Sequence, residues 1–148
     1  MPYKTILCLC EHGFKRSTAA AEEVRDYANS QNVILNVISR GLYNGGSSEL
    51  GLVGRLVTSF MKITGLSEYV RATAEDFEKA DLIYVMTQGM KDFVTSKYSV
   101  SPEKVVNLNI HRERGVITRA LRREVKTKIM PSLVEFVSRE FAELSHSH

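Results

Sequence analysis

Cys10, Arg16 and Ser17 stand in the order Cys, five residues, Arg, Ser, within the run Cys10-Glu11-His12-Gly13-Phe14-Lys15-Arg16-Ser17. A short apolar run precedes this segment and a helical pattern follows it. The segment is therefore a loop between a buried strand and a helix N-terminus. Such a loop turns the backbone N–H groups of Glu11, His12, Gly13, Phe14, Lys15 and Arg16 into one concavity, and the helix dipole adds positive potential, which together suit an anion. The Arg16 guanidinium is a planar fork that matches two phosphate oxygens. Gly13 lets the backbone turn where a side chain would collide. Cys10, at the base of the loop, faces the phosphorus. The field that holds phosphate also favours its thiolate. Ser17 can donate to that thiolate and help it leave again. The chemistry implied is attack by sulfur at phosphorus. The plain alternative is a Cys that packs as a small buried hydrophobe beside an incidental Arg.

The elements that must position these residues alternate between strand and helix. Residues 5–10 are an apolar run that reads as a buried strand. Residues 16–30 carry helical spacing and begin at good capping residues. Residues 33–39 form a second strand. Residues 41–51, with four of the nine glycines, form a loop, and 52–64 a helix ending at Gly65. Thr73 with Asp76 three positions on marks a capped short helix. Residues 81–86 read as a third strand, 90–98 as a helix, 101–103 as a turn and 104–110 as a fourth strand. From 116 to 144 the chain is helical, with Ile117, Leu121, Val125, Ile129, Leu133, Phe136 and Val137 along one stripe. Pro131 is expected to kink that helix or divide it. This order predicts a single α/β domain over 1–148, a four-stranded parallel sheet with helices on both faces and strand order 2-1-3-4. In such sheets the ligand site lies at the C-terminal strand ends, where the Cys10 loop falls.

The composition fits one ordinary globular domain: 148 residues, 43% apolar and 25% charged. No apolar run approaches the roughly 18 residues of a membrane helix, and no signal peptide precedes the first strand. A cytoplasmic location with no membrane partner is expected. Cys8 and Cys10 are the two cysteines. Two positions apart in a strand, they are too distant for a relaxed disulfide. No cysteine and histidine cluster has zinc spacing, so neither a metal nor a cofactor is expected. Aspartate is scarce: Asp26, Asp76, Asp81 and Asp92 are the four, against thirteen Glu.

The segment CEHGFKRS after an N-terminal strand resembles the phosphate-binding loop of the low-molecular-weight protein tyrosine phosphatase family. The likeness extends along nearly the whole chain. Ser39-Arg40-Gly41 resembles the family's Ser-Ala-Gly after its second strand, and 71–86 resembles its approach to the third strand. The resemblance implies a two-step hydrolysis of a phosphotyrosine-type monoester. The Cys10 thiolate forms a phosphocysteine, which water then cleaves, while Arg16 and the loop N–H groups hold the equatorial oxygens. The implied partners are a phosphorylated protein or a small phosphoester as substrate, and inorganic phosphate as product or inhibitor.

The sequence departs from that family in the proton donor. The family's Asp-Pro after the fourth strand is replaced by Asn109-Ile110-His111-Arg112-Glu113-Arg114-Gly115. General acid catalysis is worth roughly 10²–10⁴-fold, so the replacement matters. Three readings stand: Glu113 is the acid, His111 is the acid, or the acid is absent. Inside the loop, His12-Gly13 replaces a Gly-Asn pair. Glu11 places a carboxylate beside the nucleophile, which disfavours phosphate unless it pairs with Lys15 or a basic substrate, or itself gives the proton. Lys15 stands where many members carry a second, protective Cys. Tyr43 is a candidate wall for a substrate ring.

Residues 111–128 hold seven Lys/Arg and two Glu, a local net of +5, so the rest of the chain nets −2 of the overall +3. The run is either a solvated helix face or a patch that steers an anion. No aromatic residue interleaves it, so nucleic-acid binding is not expected. The rival from another class is a weak or inactive phosphate- or phosphoprotein-binding regulatory domain that keeps the same loop. A phosphocysteine carrier of sugar transport, which generally lacks the Arg, and an arsenate reductase, which needs a downstream Cys, fit less well.

Overall fold

The computed structural model describes residues 3–10, 16–42, 71–110 and 119–141. Among these, strand β1 (Lys4–Cys10) leads to helix α1 (Arg16–Ser30) and strand β2 (Leu35–Gly41). Helix α2 (Ala74–Lys79), strand β3 (Leu82–Val85) and helix α3 (Gln88–Lys97) follow. After a short 3₁₀ turn (Pro102–Lys104) come strand β4 (Val105–Asn107) and the long helix α4 (Arg119–Glu140). All strand pairs are parallel and the order is β2-β1-β3-β4, as the sequence predicts.

Register explains how the faces divide. Cys8 pairs with Ser39 on one side and Tyr84 on the other, and Cys10 pairs with Gly41. Residues two apart on a strand share a face, and laterally paired residues do too. Cys8, Cys10, Ser39 and Tyr84 therefore lie on one face. That face carries α1 and α4, since the Tyr84 hydroxyl lies 2.9 Å from Ser132 of α4 and Ser17 of α1 touches Ser39. Arg40 lies on the other face and pairs with Asp76 of α2 at 3.4 Å. The sheet thus has helices on both faces. On the α1 and α4 face Ile6, Cys8 and Tyr84 are buried together with Val24 of α1 and Leu121, Val125, Ile129 and Leu133 of α4, and on the other face Leu7, Leu9 and Ile83 are buried as well.

Several boundaries differ from the sequence reading. β2 starts at Leu35, two residues later than expected, because Asn32 takes a positive φ of 55° in the preceding turn and Ile34 is left 67% exposed. It also extends through Gly41, which the sequence assigns to the loop. α3 begins at Gln88 because the Thr87 side chain caps the Met90 amide, so the helix starts before its first apolar residue. β4 ends at Asn107 instead of 110. Asn109 has a positive φ of 54°, although Leu108 and Ile110 still donate to Val85 and Met86. The Thr73–Asp76 capping box forms as read from the sequence. The expected helix over 52–64 and the start of the last helix at 116, with Ile117, lie outside the described residues.

Pro131 does not divide the last helix. α4 is one 22-residue helix with Pro131 inside it. Its nitrogen has no proton for the Thr127 carbonyl, so one helical bond is missing. Burial on both sides of the gap, by Val125 and Ile129 before it and Leu133, Phe136 and Val137 after it, outweighs that loss. Pro131 itself is exposed. Pro131→Ala is therefore expected to raise stability. Restoring the bond and the helix propensity gains up to about 3 kcal/mol, and greater freedom of the unfolded chain offsets up to about 1 kcal/mol of it. A urea midpoint that stays put or falls would show that the helix has already relaxed around the ring.

Candidate active site

The site is assembled where β1 ends and α1 begins. Cys10 is the last residue of β1 and is almost wholly buried. Its backbone carbonyl accepts from the Leu42 amide at 2.9 Å, which fixes the strand end against β2. Arg16 opens α1, a 15-residue helix whose first turn holds no carboxylate to compete with an anion. The first turn also carries Ser17, fully buried.

Three side chains meet at this point. The Cys10 thiol donates to Ser17 Oγ at 3.2 Å, and the Ser39 hydroxyl donates to the same oxygen at 2.9 Å. Arg16, only 7% exposed, donates from Nη1 to the Ile110 carbonyl at 2.8 Å. The Ile110 amide in turn donates to the Met86 carbonyl at 2.8 Å, past the end of β3. The guanidinium is thus anchored to the backbone just ahead of residues 111–118. A guanidinium has five N–H donors in a rigid fork, so this anchor uses one of them.

Cys8 is chemically different from its neighbour two positions on. Burial pushes its thiol up to about 12, an effect that nearby Arg25 only partly offsets. Cys8 is a packed core residue. Both cysteines are reduced.

Of the residues singled out in the sequence, the structure brings Cys10 and Ser17 into contact, while Arg16, at the start of α1, has its guanidinium on the Ile110 carbonyl. Glu11, His12, Gly13, Phe14, Lys15, Tyr43, His111 and Glu113 lie outside the described residues. Two features were not singled out as site residues: Ser39 and the Ile110 carbonyl. A signal for Ser39 existed in its Ser39-Arg40-Gly41 setting. A backbone carbonyl leaves no trace in sequence.

Two aspartates have structural work. Asp76 caps α2 and receives Arg40, and Asp81 Oδ2 accepts from the Thr5 amide at 2.8 Å, pinning the start of β1. The described part of the basic stretch is partly paired: Arg122 meets Glu22 at 2.7 Å, and Lys128 meets Glu124 as well as the Asn109 carbonyl. Arg119, Arg123 and Lys126 are exposed. Among the described residues no group of three His, Cys, Asp or Glu side chains could hold a metal ion. No helix among them is long and apolar enough to cross a membrane.

No protein-family model and no curated protein matches the chain. Solved structures do. The YwlE arginine phosphatase from Geobacillus stearothermophilus superposes with a TM-score of 0.64 at 23% identity, covering 95% of this chain and 96% of that one. A Cys-to-Ser variant of a YwlE arginine phosphatase, with a phosphorylated active-site serine, gives 0.61 at 20% identity over 88% and 94%. The low molecular weight protein tyrosine phosphatase of T. tengcongensis gives 0.59 at 16% identity over 93% and 99%. The likeness is one of architecture, a four-stranded parallel sheet of order β2-β1-β3-β4 flanked by helices. The chain has the fold of the low-molecular-weight protein tyrosine phosphatases.

Proposed function

We propose that this chain is a cysteine-dependent phosphatase acting on a phosphomonoester of the phosphotyrosine type. The observation that carries the proposal is the contact of the Cys10 thiol with the buried Ser17 hydroxyl at the start of α1, the helix that Arg16 opens with its guanidinium anchored on the Ile110 carbonyl. In the first step a lone pair of the Cys10 thiolate forms the S–P bond while the ester P–O bond breaks. The leaving oxygen takes a proton from the general acid. In the second step a water oxygen bonds to phosphorus, the S–P bond breaks and inorganic phosphate departs. Arg16, with the N–H groups of Glu11, His12, Gly13, Phe14 and Lys15, holds the phosphoryl oxygens through both steps. Ser17 donates to the sulfur whenever it carries charge. The fold neighbour that carries a phosphorylated active-site serine supports an enzyme-bound phosphoryl group in this architecture. Hydrolysis of an aryl phosphate by wild type, and not by Cys10→Ser, tests the reading. A wild type inert across pH 4–8 refutes it.

Glu113 is proposed as the general acid. It lies three positions after Ile110, whose backbone is held by both Met86 and Arg16, so its reach toward the leaving group starts from a fixed point. Glu113→Gln is expected to lower kcat about 100-fold for phenyl phosphate. It should change kcat little for a nitrophenyl ester, whose leaving group needs no proton. An unchanged rate with phenyl phosphate removes Glu113 from the mechanism.

A second substrate reading follows from the neighbours named as arginine phosphatases. Glu11, directly after the nucleophile, suits a cationic guanidinium better than a neutral ring. Phosphoarginine and phosphotyrosine assayed side by side decide between them: the larger kcat/KM names the class.

A further inference from the structure

Lys128 closes the basic stretch 111–128, and its side chain turns toward the end of the sheet. Its Nζ donates to the Asn109 carbonyl at 2.6 Å, with Glu124, one turn earlier on α4, at 3.4 Å on the other side. Asn109 lies just past β4 and has a φ of 54°, a left-handed conformation that an L-residue adopts at a cost. Such a conformation lasts where its surroundings over-determine it. Here the Asn109 amide donates to the Asn107 side chain at 2.8 Å, the Ile110 amide donates to the Met86 carbonyl at 2.8 Å, and the Asn109 carbonyl takes Lys128.

The Asn109 carbonyl and the Ile110 amide belong to one peptide unit, and that unit is planar. Met86, just past β3, holds one end of the plane and Lys128 of α4 holds the other, so the plane cannot turn. The Ile110 side chain is fully buried, which fixes the residue that follows the plane. The next carbonyl is that of Ile110, and it is the acceptor of Arg16 Nη1 at 2.8 Å. A cation on α4 thus sets the direction of the group on which the guanidinium of α1 rests.

We propose that Lys128 is a positioning residue for Arg16: by fixing the Asn109–Ile110 peptide it fixes the carbonyl that orients the guanidinium. Lys128 itself touches neither substrate nor reacting atoms. Without it, the Asn109–Ile110 plane is held at one end only, and Arg16 is ordered at the moment an anion arrives and not before. The proposal rests on Arg16 holding the phosphoryl oxygens.

Two measurements test it, one of which needs no anion. In the free protein the two Arg16 Nη groups are followed by ¹⁵N NMR, assigned by their loss in Arg16→Lys. An anchored guanidinium rotates slowly and gives resolved Nη signals. In Lys128→Met, which keeps the apolar stem of a partly exposed side chain and removes the donor, they should merge. Calorimetry with inorganic phosphate should show binding about fivefold weaker in Lys128→Met. Lys128→Arg keeps a donor and should restore both readouts. Lys126→Met removes the same charge from an exposed position on the same helix, and should leave phosphate affinity within twofold of wild type. Lys128→Met added to Arg16→Ala should weaken binding no further than Arg16→Ala alone, because Lys128 acts through Arg16. Arg16 signals still resolved in Lys128→Met overturn the proposal. So does a phosphate affinity within twofold of wild type, or an equal loss in Lys126→Met, which would reduce Lys128 to a charge. A wild type that binds no phosphate overturns the phosphatase reading instead, and the Arg16 signals alone then decide the role of Lys128.

Discussion

Cys10→Ser is expected to lower kcat toward aryl phosphates by about 10⁵–10⁶-fold, while calorimetry with inorganic phosphate still registers binding within about tenfold of wild type. The two halves of this expectation have different physical sources. On the proposed reading binding belongs to Arg16, the N–H groups of residues 11–15 and the N-terminus of α1, none of which the substitution removes. Turnover belongs to the sulfur. A thiol needs little help to become an anion near neutral pH, whereas an alcohol needs a strong base. Among the described residues the Ser17 hydroxyl meets Cys10, with the Ser39 hydroxyl behind it. Both are donors suited to an anion already formed, and neither is a base. A serine at position 10 would sit in the cradle without being activated. The same experiment separates the rival reading. A regulatory domain that keeps the cradle binds phosphate equally well as wild type or Cys10→Ser, and neither turns over. A variant within tenfold of a competent wild type would place the nucleophile elsewhere.

How much of this was legible in the sequence depended on the distance over which each interaction acts. The capping box at Thr73 and Asp76 is local chemistry within four residues, and it formed as read. The stripe from Leu121 to Val137 is a periodicity within one helix, and its described members are buried. Cys10 and Ser17 are seven positions apart, at the end of β1 and in the first turn of α1, so their contact could be expected from spacing alone. The start of β2 was misplaced because the apolar run at 33–34 looks like strand, while the positive φ at Asn32 delays the pairing. A kink or a division at Pro131 was expected from a local rule, and of the two the division does not occur, since burial on both sides carries the helix through. Ser39 and the Ile110 carbonyl reach the site across 22 and 94 positions of chain. Contacts of that range exist only once the sheet has ordered β2, β1, β3 and β4, so no spacing rule announces them. Glu113 was chosen by chemistry and by its place after the fourth strand, and its role waits on the leaving-group experiment.

Arg16→Lys is expected to cost about 10³-fold in kcat, and Arg16→Ala more, up to about 10⁵-fold, the range over which a positioned arginine acts on a transferring phosphoryl group. The reasoning starts from geometry. One nitrogen, Nη1, is committed to the Ile110 carbonyl, and this fixes the plane of the guanidinium before any anion arrives. A pre-set plane presents the remaining N–H groups as a fork, without the ordering cost that a mobile side chain would pay in the transition state. A lysine keeps the charge but offers one point with three donors. It cannot both hold the Ile110 carbonyl and span two phosphoryl oxygens. The loss should therefore appear mainly in kcat, since charge alone still draws the anion in. Arg16→Ala has a second consequence. It leaves the Ile110 carbonyl without its donor beside a fully buried side chain, at a cost of about 1–3 kcal/mol in stability. It also detaches α1 from the chain that leads into Glu113. Phosphate should raise the melting temperature of wild type, as any ligand that binds only the folded state does, and should barely move that of Arg16→Ala. If Arg16→Lys keeps kcat within tenfold, the guanidinium is a structural latch alone, and the phosphoryl oxygens are held by the loop backbone without it.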